Sequence, residues 1–221
     1  ASGGPFITRS LKTFYKIKNT EAIKHPNWKM GKKISVDSST LMNKVFELIE
    51  ASNIFDINLN NFKIVIHPSS YVHSIVSYKS GFSELLFHET DMKIPIINSL
   101  CDLISYNFKN DKNVNFKNLN DLTFIMADKK RYPSVKLLKL IPKKISLFNT
   151  VLVSSNDALV DLFLNNKIKY NDINKFLTKI LKMKKYSYTK LKKPNNSMEI
   201  KNLMTDVIKT TRGICIGSKY D

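Results

Sequence analysis

Several kinds of segment are missing from this sequence of 221 residues. No apolar run approaches the length that crosses a bilayer, and the opening residues lack the basic-then-apolar order of a secretory signal. No G-x-G-x-x-G occurs anywhere, which excludes a glycine-rich dinucleotide loop. The only cysteines are Cys101 and Cys215, too few for a disulfide framework and in keeping with free thiols in a reducing cytosol. Acidic residues are sparse, 18 against 36 Lys and Arg, leaving a net charge of +18. Glycine is also scarce, so the run Gly3-Gly4 and the lone Gly31 stand out as places where the backbone turns tightly or meets something closely.

The positive charge invites comparison with nucleic-acid binders. Yet lysine far outnumbers arginine, the basic residues are spread along the chain, and no groove-reading or base-stacking motif accompanies them. Solvated, lysine-rich helix faces account for the charge, which still favours a phosphorylated partner. Neither a nucleic acid nor a membrane is expected as a partner. Hydrophobic content of 43% is that of a globular protein with a real core.

The richest stretch runs from His25 to Glu47. Ser38, Ser39 and Thr40 read as helix-start residues, and Ile34-Ser35-Val36 before them as a short strand. Beyond them Leu41, Met42, Val45, Phe46, Leu48 and Ile49 share one side of a helical wheel, while Asn43, Lys44 and Glu47 share the other. Any surface helix shows such a polar stripe. What sets this one apart is the loop ahead of it, where His25, Trp28 and Met30 are costly choices for a connector and suit a lid that excludes water. A helix N-terminus beside two serines, an amide and an ammonium is a place for a phosphate. Ser2 in the tight turn Ser2-Gly3-Gly4-Pro5-Phe6 adds a hydroxyl. Glu47, one turn along, is poorly placed for an anion and better suited to a hard divalent cation.

The pattern His25-Pro26-Asn27-Trp28-x-Met30-Gly31-x-Lys33-Ile34-Ser35-x-Asp37-Ser38, followed by Met42-Asn43-Lys44 and Glu47, resembles 1-deoxy-D-xylulose 5-phosphate reductoisomerases. The Ser2-Gly3-Gly4 turn, Ile66-His67-Pro68, Asp91-Met92, Leu122-Thr123-Phe124, Arg131-Tyr132-Pro133 and Asn156 are similar too, in the same order. The resemblance implies an enzyme of non-mevalonate isoprenoid precursor synthesis, which converts 1-deoxy-D-xylulose 5-phosphate to 2-C-methyl-D-erythritol 4-phosphate. Ser2, His25, Ser38, Asn43, Lys44 and Glu47 would then line the substrate, and Glu47 would also ligate Mg2+, Mn2+ or Co2+. His25 and Glu47 would act in catalysis, Trp28 and Met30 would form the lid, and Gly31 would lie against NADPH. A cytoplasmic homodimer is implied as well.

The chain opens at Ala1, just before a turn that lies well inside members of that family. The expectation is therefore a C-terminal fragment without the NADPH-binding domain and without the acidic residues that complete the metal site, inactive alone. A catalytically dead sugar-phosphate-binding scaffold is the competing reading, and a basic nucleic-acid binder a weaker third.

The fold class expected is α/β, a mixed sheet with helices packed on it, followed by a C-terminal helical bundle. Strands are expected near residues 34–36, 62–66, 72–78, 82–87 and 122–126, with 72–78 and 82–87 forming a hairpin about Lys79-Ser80-Gly81. Ile173, Phe176, Leu177, Ile180 and Leu181, and again Ile200, Leu203, Met204, Val207 and Ile208, keep helical spacing. This gives a catalytic α/β domain over 1–101, a linker with a strand over 102–127 and a helical domain over 128–221. His67 and His73 flank a proline-containing break and point to structure rather than to a metal pair.

Overall fold

The computed structural model describes residues 1–25, 30–100, 116–120 and 122–217. In chain order the elements are α1 (Asn19–Ala22), α2 (Lys32–Thr40), α3 (Met42–Phe55), β1 (Val65–Ile66), β2 (Val72–Ser77), β3 (Ser83–Phe87), α4 (Lys93–Leu100), α5 (Phe116–Asn120), β4 (Ile125–Met126), α6 (Phe148–Leu164), α7 (Tyr170–Leu181) and α8 (Ser197–Gly217). Short 3-10 segments cover Leu11–Lys16, Leu59–Asn61, Pro133–Leu140 and Lys184–Lys190. The mixed α/β class with a helical C-terminal part is the class expected. Cys101, most of the expected linker and the lid residue Trp28 lie outside the described residues.

Contacts group the chain into two units that do not follow its linear order. One comprises Ala1–Gly3 and Val65–Met126, the other Gly4–Ile64 and Ala127–Asp221. The grouping arises because β1 pairs antiparallel with β4, with Val65 opposite Met126 and Ile66 opposite Ile125. The Ala1 ammonium donates to the Val65 carbonyl at 2.8 Å, and the His67 amide donates to the Ala1 carbonyl at 2.6 Å, so the first residue extends this small ladder.

In this first unit β2 and β3 form the expected hairpin, Ser77 opposite Ser83, closed by Tyr78 N–H donating to the Phe82 carbonyl at 2.8 Å. Gly81 has φ 93°, which a glycine adopts without strain. Ile75, Val76, Leu85 and Leu86 are all exposed on it. Among the described residues this hairpin and the β1–β4 pair are separate two-stranded ladders, rather than one sheet. His67 is buried for structural reasons: its ring meets the Thr123 carbonyl through Nδ1 at 2.9 Å and Ser69 Oγ through Nε2 at 2.8 Å, and it stacks on Phe124. In α4, Asp91 Oδ1 accepts from Lys93 N–H at 3.0 Å and Pro95 occupies the first turn, where its missing N–H costs nothing.

The second unit is built on α6. Seventeen residues long, it buries Phe148, Val151, Leu152, Leu159, Val160 and Phe163 against α7 and α8. The α7 stripe read from the sequence is buried as a set. On α8, Leu203 and Val207 are buried, and Asn196 Oδ1 caps the helix by accepting from Glu199 N–H at 2.8 Å. Tyr170 packs edge-on against Phe6, Phe14 and Phe163, with centroids 5.4 to 6.0 Å apart, which brings the N-terminal turn into the same core. Arg131 closes that turn from outside by donating to the carbonyls of Phe6 and Arg9, each at 2.7 Å. Cys215 is buried and its thiol is pushed up to about 11 by burial, which makes it a poor nucleophile.

One sequence expectation is overturned here. Residues 34–36 are not a strand but the middle of α2. The hydroxyls around them back-bond within the helix. Ser35 Oγ donates to the Gly31 carbonyl at 3.0 Å, Ser39 Oγ to Val36 at 2.7 Å and Thr40 Oγ1 to Asp37 at 3.2 Å. The segment is also buried nearly throughout from Ser35 to Thr40, which hides the alternation a half-exposed helix would show.

Because Phe148 is fully buried at the start of α6, Phe148→Ala should cost about 3–5 kcal/mol. Urea unfolding with an unchanged slope and a lowered midpoint would show it.

Candidate substrate site

Of the candidate residues, Ser38, Asn43 and Lys44 lie on either side of the junction of α2 and α3. Ser38 does not begin a helix. It lies in the last turn of α2, and Leu41 carries the reversal with a left-handed φ of 58°. Two helices therefore meet at this point, one ending in Ser38, Ser39 and Thr40, the next starting with Met42, Asn43 and Lys44. Thr40 Oγ1 accepts weakly from the Met42 N–H at 3.4 Å.

The end of a helix leaves carbonyls without partners. Here other elements supply the donors. Tyr170 Oη donates to the Ser39 carbonyl at 2.8 Å, and Ser134 Oγ donates to the Thr40 carbonyl. Burial pushes the Tyr170 phenol well above its ordinary range, which keeps it a donor. Gly4 presses on the same turn from the N-terminal side. Its φ is 66°, and a Cβ added there would stand 2.9 Å from the Ser39 Cα and 3.0 Å from the Ser38 carbonyl oxygen.

Asp37, one residue before Ser38, is 2% exposed. Asn156 Nδ2 donates to its Oδ1 at 2.8 Å, and Lys33 Nζ lies 3.1 Å from its Oδ2. The same ammonium is 2.8 Å from Asp157 Oδ1, close in distance though not aligned as a hydrogen bond. Burial raises the Asp37 carboxyl above the usual carboxylate range, and the Asn156 amide and Lys33 pull it partly back. Burial also lowers Lys33, but the two carboxylates outweigh it and leave the ammonium above its ordinary value. Lys33, Asp37 and Asn156 belong to the family pattern without a role, and Asp157 is not part of it. The i, i+4 spacing of Lys33 and Asp37 was the available signal, whereas Asn156 is 119 residues from its partner.

On α3 the polar stripe is as read. Asn43 is half-buried, with a side-chain oxygen that is buried and has no hydrogen-bond partner among the described residues. A half-turn of the amide places its NH2 there instead, a donor ready for an anion. Lys44 Nζ reaches both oxygens of Glu47, at 2.7 and 3.0 Å. Such an i, i+3 pair on a helix is worth only about 0.2–0.5 kcal/mol, so a ligand can displace it. His25 stands close enough to feel Lys44: burial first, and the Lys44 charge second, hold its imidazole below the ordinary value of 6.5. His25 is thus neutral near pH 7, one ring nitrogen donating and the other accepting.

Met30 is half-buried and Gly31 is exposed just ahead of α2, where no described residue lies within 4 Å of a Cβ added to Gly31. Ser2 belongs to the other unit, with β1 and β4. Among the described residues no group of three His, Cys, Asp or Glu side chains is placed to hold a metal ion. Glu47 alone, engaged by Lys44, does not replace enough of the water around Mg2+ to bind it.

Comparison with known proteins gives the family. A family model described as the 1-deoxy-D-xylulose 5-phosphate reductoisomerase C-terminal domain matches residues 1–55, and one described as the DXP reductoisomerase C-terminal domain matches residues 88–211. The fold is similar to a crystal structure of DOX-P reductoisomerase in complex with NADPH, fosmidomycin and magnesium, at a TM-score of 0.85 and 31% identity over 98% of this chain and 53% of that one. The Zymomonas mobilis enzyme in complex with NADPH gives 0.82 and 30% over 97% of this chain and 54% of that one. The class is thereby defined as the C-terminal region of a reductoisomerase.

Sequence relatives make it particular. The 1-deoxy-D-xylulose 5-phosphate reductoisomerase of Pelagibacter ubique is 50% identical over 203 residues, 92% of this chain and 52% of the relative. The apicoplastic enzyme of Plasmodium falciparum is 36% identical over 90% of this chain and 40% of its own length. The chain belongs to the 1-deoxy-D-xylulose 5-phosphate reductoisomerase family. It spans about half the length of the curated relatives it matches.

Two outcomes follow from the geometry. Gly4→Ala should destabilise the chain by more than about 1 kcal/mol, seen as a lowered melting temperature, because the left-handed φ and the Ser39 backbone both oppose a side chain. The His25 imidazole should titrate below 6.5 by NMR, and Lys44→Met should move its midpoint upward.

Proposed function

We propose that this chain is the substrate-binding part of a 1-deoxy-D-xylulose 5-phosphate reductoisomerase. In this reading Ser2, His25, Ser38, Asn43 and Lys44 bind the sugar phosphate, with Trp28 and Met30 closing over it. The complete protein, using NADPH, yields 2-C-methyl-D-erythritol 4-phosphate for isoprenoid precursors. The observation that carries the reading is the first turn of α3, where Asn43, its buried side-chain oxygen without a hydrogen-bond partner among the described residues, directly precedes Lys44. Solved relatives with NADPH, magnesium and fosmidomycin support it.

For the metal, the described residues do not suffice. Glu47 is proposed as one carboxylate among ligands supplied from elsewhere, for Mg2+ or Mn2+, and Gly31 as a contact for the cofactor. His25, neutral and beside Lys44, is proposed to hydrogen-bond the substrate. The chain alone is accordingly proposed to be inactive, and the protein to be a cytoplasmic homodimer. The apolar side chains exposed on the β2–β3 hairpin support a second copy there. No helix among the described residues is long and apolar enough to cross a membrane.

Titration of 1-deoxy-D-xylulose 5-phosphate into the chain, followed by calorimetry, should show saturable binding that Lys44→Met removes. Glu47→Gln should leave it intact, since that change frees the ammonium. Absence of saturable binding overturns the reading. A turnover assay with NADPH and Mn2+ on the chain alone should give no product, and any product would show that the chain is more than a part.

A further inference from the structure

We propose that Lys33, Asp37 and Asn156, with Asp157, form a positioning cluster that holds α2 against α6 and so sets where Ser38 and the first turn of α3 stand. The inference rests on the phosphate-binding reading above, and it concerns residues that reading gives no part.

The cluster occupies both ends of a short lever. Lys33 lies in the first turn of α2, two residues after Gly31, and Asp37 lies in its last turn, directly before Ser38. Both Asp37 oxygens are engaged, one by the Asn156 amide at 2.8 Å and the other by Lys33 at 3.1 Å, so the carboxylate cannot swing. Lys33 in turn is shared with Asp157 on α6 and lies 5.6 Å from the centroid of the Phe46 ring on α3. One ammonium thereby touches α2, α3 and α6.

Stability alone gives little reason for such a group. An ion pair whose lysine is half-exposed adds only about 1 kcal/mol or less to stability. What the cluster supplies and an apolar contact does not is direction from the Asn156 amide, which donates along one line to Asp37 Oδ1, and a charge at Lys33 that draws the carboxylates of α2 and α6 to one point. The neighbouring residues show the same division of labour. Ser39 is held from α7 through Tyr170 and Thr40 from the 133–140 segment through Ser134, while residue 37 is held from α6. Ser38 stands between fixed neighbours on both sides. A displacement of about 1 Å in a binding group is enough to cost one or two orders of magnitude in productive binding.

The test is calorimetric titration of 1-deoxy-D-xylulose 5-phosphate, with melting temperature recorded for every variant. Lys33→Met should weaken binding about tenfold or more, as should Asp37→Asn, and Lys33→Arg should restore it to within about twofold of the unchanged chain. Lys33 is half-exposed, so its variants fold even if Asp37→Asn does not. Leu203→Ala on α8 is the control: it should lower the melting temperature without weakening binding. Lys33→Met binding as tightly as the unchanged chain overturns the proposal. So does a loss of affinity in Leu203→Ala equal to that in Lys33→Met. If the unchanged chain does not bind, or if Lys44→Met binds as well as it does, the phosphate-binding reading itself has failed, which the Lys33 series separates from failure of the cluster.

Discussion

The reversal at Leu41 is the constraint on which the rest of this site depends. A chain that ends one helix and starts another within a single residue exposes carbonyls from the first and N–H groups from the second at the same place. The carbonyls must be met by protein donors, and Tyr170 and Ser134 meet them. The N–H end can then remain turned toward a ligand. The same reversal puts Ser38 in the last turn of one helix and Asn43 and Lys44 in the first turn of the next.

How much of this the sequence disclosed depends on how far apart the deciding groups lie. The α7 stripe, the hairpin about Gly81 and the Asn43, Lys44, Glu47 face are local patterns, legible from spacing, and the structure has them. The identity of residues 32–40 was not legible. Ile34 and Val36 are β-branched and flanked by serines, and the hydroxyls of Ser38, Ser39 and Thr40 suit a helix start as well as a helix interior. What decides between these is burial against α6 and α7, which involves residues more than a hundred positions away. The family resemblance, in contrast, was visible in the motif order alone, and the matches to reductoisomerase C-terminal domains bear it out.

The charge content also takes on a clearer meaning. The large lysine excess is surface, since no described lysine is buried, and the bridge of Lys185 with Asp206 is exposed in the same way. Lys33 differs in its partner: it is the one basic residue tied to a carboxylate that is almost wholly buried among the described ion pairs. Its position, rather than the total, is what bears on the site.

The long separations across the α2–α3 turn carry a consequence for how the protein comes into being. Ser134, Asn156 and Tyr170 follow the residues they hold by 94, 119 and 131 positions. A ribosome finishes the binding residues long before it makes their supports. Through that interval the nascent segment has helical propensity but nothing to hold its ends. Contacts this distant in sequence form late and slow the approach to the native state. Loss of the last third of the chain, by premature termination or proteolysis, would thus unmake a site whose own residues all remain present.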